Sequence, residues 1–164
     1  MGNKESQERE VFHIKGVLSR IQQVDLVQAI QARKSERDLL VHHDEESYYE
    51  KIFILDMIHS RANVIRDILT VVLGKMQSVL RKQGVADFPV DSRHYNPGLC
   101  EVLSYDDKKG KLEGHVDRVA GWIVGISLGA SAEFWYQTPT MAKRASFTVQ
   151  SGDAVVFDGS DAKG

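Results

Sequence analysis

The chain has 164 residues, 42% hydrophobic and 27% charged, with 21 basic and 23 acidic side chains and a formal net charge of -2. This is the composition of one globular domain long enough to bury a substantial core, and its charge balance exerts no general pull toward nucleic acid. The single cysteine, Cys100, excludes an internal disulfide framework and fits a reducing intracellular compartment, cytoplasmic or nuclear.

Residues 1–10 are polar and read as a flexible N-terminus, with no apolar run of bilayer length and no secretory leader. The opening MGNKES fits M-G-x-x-x-[ST], which makes Gly2 a candidate for myristoylation beside the plainer reading of a polar start. One acyl chain would give only a weak membrane tether. From Phe12, the residues Ile14, Val17, Leu18, Ile21 and Val24 recur at helical spacing and predict an amphipathic helix broken near Gly16. Residues 33–46 are charged and read as a surface loop ending in His42, His43, Asp44, Glu45 and Glu46. Adjacent side chains on a loop rarely converge on one ion, so a solvated face is the better reading than a metal cluster. Residues 47–84 form the clearest helical region: Val64, Ile65, Ile68, Leu69, Val72, Leu73, Met76, Val79 and Leu80 keep the i, i+3, i+4 spacing of a buried helical face. Ser60 is the expected N-cap, and Gly84 followed by Pro89 the stop. Residues 11–90 are therefore read as a helical N-terminal part.

After Pro89, turn residues punctuate short β-rich runs at 99–105, 111–117, 122–128, 133–136, 146–149 and 154–157. Short strands without intervening helices predict an antiparallel sandwich or jelly roll for residues 91–164, and with the helices in front the class is α+β. One domain overall is expected.

The chemistry concentrates at residues 112–129, LEGHVDRVAGWIVGISLG. In a strand, His115 and Asp117 would share a face, so an imidazole and a carboxylate can reach one ion. Two such ligands plus a third from elsewhere make the 2-His-1-carboxylate iron site, which leaves positions open for oxygen and a co-substrate. A lone His-x-Asp is weak, but its surroundings add to it: NPGLCEVLSY before the motif, GHVDR at it, SLGASAEF after it and SGDAVVFDG further on.

In order and spacing this combination resembles the AlkB-like branch of the iron(II)/2-oxoglutarate dioxygenases, over residues 95–159 and more loosely from Val64. The resemblance implies a helical layer packed on a double-stranded β-helix (jelly roll), with Fe(II) and 2-oxoglutarate as cofactor and co-substrate. It implies that His115 and Asp117 are metal ligands and that Tyr105 hydrogen-bonds the co-substrate. Leu103 stands where the family often has an asparagine. Arg118 and Trp122 are candidates for the substrate pocket, beside the plainer readings of a surface arginine and a core tryptophan. The family's third ligand, a histidine past the Gly-Asp strand, and its co-substrate arginine do not occur here, because no histidine follows His115. The resemblance thus implies a jelly roll missing its C-terminal strands and a chain inactive as it stands. Relatives demethylate alkylated nucleic acid bases, and some act on proteins or lipids. Lys108, Lys109 and Lys111 form a small basic cluster that reads as a solvated hairpin. Gly152 and Asp153 are expected to form a tight structural turn, and His13, His59 and His94 to be structural histidines. Two other readings are a catalytically dead binding or regulatory module and a metal-free, cupin-like small-molecule binder.

Overall fold

The computed structural model describes residues 11–34, 41–44, 49–53, 63–85, 88, 101–105, 110–115, 121–138 and 141–159. The protein is mixed helix and antiparallel sheet and divides into two compact units, Leu18–His115 and Met1–Val17 with Val116–Gly164.

In the first unit, helix α1 spans Arg20–Lys34. Its start is fixed by a reciprocal cap: Ser19 Oγ accepts from the Gln22 N–H (3.3 Å) while the Gln22 side-chain oxygen accepts from the Ser19 N–H (2.9 Å). The helix expected from Phe12 therefore begins only at Arg20. Helix α2, Asn63–Lys82, buries Ile65, Ile68, Val72, Leu73, Met76 and Leu80, as the stripe predicts, and packs against α1. Leu69 and Val79 of the expected stripe are only half-buried, and Val64 is half exposed. The helix ends in a left-handed turn: Gly84 has φ +87°, its N–H reaches Arg81 O (3.1 Å), and the Val85 N–H reaches Leu80 O (3.0 Å). The predicted cap Ser60 lies outside the described residues.

Strands β2 (Val41–Asp44), β3 (Tyr49–Phe53) and β4 (Glu101–Tyr105) form an antiparallel sheet in that order. Val41 lies opposite Ile52, Ile52 opposite Val102, and Tyr49 opposite both Asp44 and Tyr105. Two expectations are corrected here. Residues 41–44 are strand rather than loop, and 49–53 are strand rather than helix. Val41, Tyr49, Ile52 and Phe53 are β-branched or aromatic, and pairing to β4 supplies the ladder that local periodicity does not reveal.

In the second unit, β1 (Phe12–Ile14), β8 (Ala154–Asp158) and β5 (Trp122–Ile126) form an antiparallel sheet with β8 in the middle. The central strand is the apolar one, with Ala154, Val155 and Val156 buried beside Ile14. Strands β6 (Ala132–Tyr136) and β7 (Ala145–Val149) pair antiparallel, with Phe134 opposite Phe147. Alternation puts Phe134, Tyr136 and Phe147 on one face. The Phe147 ring stacks on His13 at 4.5 Å, with Phe134 and Tyr136 beside it at 5.3 and 6.2 Å.

Candidate metal and co-substrate site

Tyr105 is the last residue of β4, and its side chain is exposed. Residues 111–115 are exposed and form neither strand nor helix, which corrects the strand expected there. Gly110 and Gly114 bracket the segment and weaken any strand preference. The same-face argument for His115 therefore does not rest on a strand. What holds the imidazole is its own backbone: Nδ1 of His115 lies 2.9 Å from the Glu113 carbonyl oxygen. A carbonyl only accepts, so Nδ1 carries the proton and the ring lone pair sits on Nε2, the tautomer that can ligate a metal. Glu113 in turn pairs with Lys111, whose ammonium is raised above its ordinary value by the hydrogen bond to that carboxylate and by its charge.

Asp117 and Arg118 lie outside the described residues, as do Gly2, Cys100, His59 and His94. Trp122 opens β5, half-buried, and lies opposite Asp158 in the ladder. Just before it, Gly121 at φ +113° accepts the Gly159 N–H at its carbonyl (2.8 Å). The backbone leading out of the motif and the backbone leaving β8 are thereby joined at one end of the sheet. Among the described residues no group of three or more His, Cys, Asp and Glu converges to hold a metal. Of the expected site residues, His115 and Tyr105 are placed in one unit and Trp122 in the other.

One ionisable cluster was not visible from the sequence. The buried Asp153 carboxylate accepts from His13 Nε2 (2.8 Å), the Gly16 N–H (2.9 Å) and the Gln150 N–H (3.0 Å). Burial pushes this carboxyl up, but the Gln150, Gly16 and His13 hydrogen bonds outweigh it and hold Asp153 below its ordinary value. The turn it closes also carries Gly152 at φ +88°, a conformation suited to glycine, so Gly152 and Asp153 have the structural role expected of them. The partners Asp153 and His13 stand 140 positions apart, and only the β1–β8 pairing brings them together.

The donor chemistry suits a mononuclear iron site: one imidazole whose Nδ1 faces a carbonyl, with a carboxylate two positions on in the sequence. An imidazole and a carboxylate at that spacing, between antiparallel strands β4 and β5 in the sequence, fit the class of metal-dependent oxygenases. The chain belongs to the 2OG-Fe(II) oxygenase superfamily, which matches residues 10–163. Fe(II) and 2-oxoglutarate are the cofactor and co-substrate of that superfamily. No curated protein and no solved structure matches the chain closely enough to count as similar.

Proposed function

We propose that the chain is an AlkB-like oxygenase of jelly-roll type that hydroxylates a C–H bond of its substrate, with an alkylated nucleic acid base as the substrate class. The observation that carries this reading is the closure between Gly159 and Gly121, in register with Asp158 opposite Trp122. It joins the entry to β5, the strand that follows the His-x-Asp motif in sequence, to the end of β8. The superfamily match over residues 10–163 supports it further.

In this reading His115 Nε2 and the Asp117 carboxylate hold the metal, and the Glu113 carbonyl keeps the imidazole in its ligating tautomer. The Tyr105 hydroxyl donates to the co-substrate, while Leu103 offers it no amide. Trp122 and Arg118 border the substrate. Bound iron with 2-oxoglutarate and oxygen supplies the oxidising power for the hydroxylation. His115 is the last of six histidines, so a second imidazole from these residues, the third ligand, comes from an upstream position. That same count favours a second reading, in which the chain is a non-catalytic binding or regulatory module that works in the cell interior, tethered weakly to a membrane when Gly2 is acylated.

Succinate release from 2-oxoglutarate with added iron(II), compared with His115→Ala and Asp117→Ala, tests the proposal. Turnover in the parent that disappears in both variants is the expected result. Absence of turnover in the parent, with iron bound and the fold intact, sinks the enzyme reading and leaves the binding module.

A further inference from the structure

The inner face of the β6–β7 sheet is used up by Phe134, Tyr136 and Phe147. The outer face is not core, yet it carries the largest side chain of the hairpin. Trp135 lies opposite Ser146 and is 38% exposed. Arg144, on the approach to β7, lays its guanidinium 4.2 Å from the centre of the Trp135 ring. Lys143 beside it is exposed. Among the described residues neither cation has an ion-pair partner, and the exposed Glu133, two residues from Trp135, does not engage Arg144. Two cations against the one exposed carboxylate of Glu133 on the same face leave this a locally positive patch on an aromatic platform.

Among the described residues the sheet has two strands, so the outer edge of β7 has no ladder partner. An unpaired edge presents main-chain N–H and C=O groups, which an extended polypeptide satisfies by adding a strand. A nucleic acid strand does not, and the ring face it would stack on is occupied by the guanidinium. Arg144 held flat on tryptophan loses less rotamer freedom when its fork meets a carboxylate, and tryptophan with arginine is the pairing enriched at the energetic centres of interfaces.

We propose that the outer face and free edge of β7 form a docking surface for an extended acidic polypeptide segment, with Arg144 and Lys143 pairing its carboxylates and Trp135 packing its stem carbons. The surface uses no residue of the His-x-Asp motif, so binding needs no iron and is independent of the oxygenase reading.

The test is fluorescence anisotropy of a labelled peptide of alternating Glu and Thr, titrated with the full chain at low salt. A Lys–Thr peptide and an oligothymidylate of equal length serve as comparisons. The expected result is binding of the Glu–Thr peptide alone, weakened roughly tenfold by Arg144→Gln and again by Trp135→Ala, and weakened by salt. Circular dichroism checks that both variants keep the fold, and Lys143→Gln, at a fully surface position, gives a second reading. No binding of the Glu–Thr peptide overturns the proposal. So does equal binding by Arg144→Gln and Lys143→Gln, and so does a preference for the oligothymidylate, which would make the patch a nucleic acid contact instead.

Discussion

Replacing Asp153 is the sharpest probe of how the second unit is held together. Its carboxylate is 4% exposed and accepts from three donors at 2.8, 2.9 and 3.0 Å: the His13 ring, the Gly16 N–H and the Gln150 N–H. Hydrogen bonds to a charged group contribute about 1.5–3 kcal/mol each, but three on one carboxylate are coupled and do not add. Asp153→Ala removes the acceptor and leaves two part-buried backbone donors and an imidazole without it, for an expected loss of about 2–4 kcal/mol. Asp153→Asn keeps the shape and one acceptor oxygen but turns an NH2 toward donors, for about 2 kcal/mol. Against a typical total of about 5–15 kcal/mol, either change is large. Urea unfolding followed by circular dichroism measures both. A second arm uses His13→Phe, which preserves the stack on Phe147 at 4.5 Å while removing the hydrogen bond. Its coupling to Asp153→Asn should be about 0.5–3 kcal/mol. An Asn variant within about 0.5 kcal/mol of the parent, with no coupling to His13→Phe, would refute the reasoning, because the carboxylate would then not be the acceptor on which three elements converge.

The same carboxylate sets an acid limit. Because Asp153 sits below its ordinary value when folded, its contribution is complete above the unfolded value and fades as the pH falls through the folded one. Urea midpoints should decline across that acid window in the parent, with a shallower decline in Asp153→Asn. Gly84→Ala forces a Cβ into φ +87° at the end of α2 and should cost about 1–2 kcal/mol, read from the same urea curves. Met76→Ala, at a fully buried position in the α2 stripe, should cost about 2–5 kcal/mol, the spread depending on how far Val72 and Leu80 close the cavity.

What the sequence made legible was local. The α2 stripe, its Gly84 stop, strands β4 to β8 and the Gly152–Asp153 turn each announce themselves within a window of a few residues, through period, branching or a turn signal. The misses are elements whose reason lies elsewhere in the chain. Phe12-His13-Ile14 shares its apolar positions with a plausible helix, and only pairing with Val156, Val155 and Ala154 makes it a strand. Residues 41–44, His-His included, look like a charged loop until they are laddered against β3. The site was half legible. His-x-Asp is legible as a candidate ligand pair, but the spacing argument assumed a strand, whereas His115 lies in none and its Nδ1 faces a carbonyl two residues back. No spacing rule reports a carbonyl.

In the proposed reading the two ends of β8 separate stability from chemistry, and this can be tested directly. Asp153 clamps the turn just before Ala154, whereas Gly159 closes on Gly121 just after Asp158. Four strand steps at about 3.3 Å put about 13 Å between the ends of β8. Strand backbone transmits little of a side-chain change over that length when both ends are independently hydrogen-bonded. Asp153→Asn should therefore lower the urea midpoint while leaving the affinity for cobalt(II), used as a spectroscopic substitute for iron, within about twofold of the parent at temperatures where it stays folded. His115→Ala should do the reverse: the imidazole is exposed and its loss leaves the urea midpoint within about 0.5 kcal/mol, while cobalt binding drops by at least tenfold. If Asp153→Asn loses cobalt binding while still folded, the clamp and the site are one cooperative structure, and the division of labour along β8 is wrong.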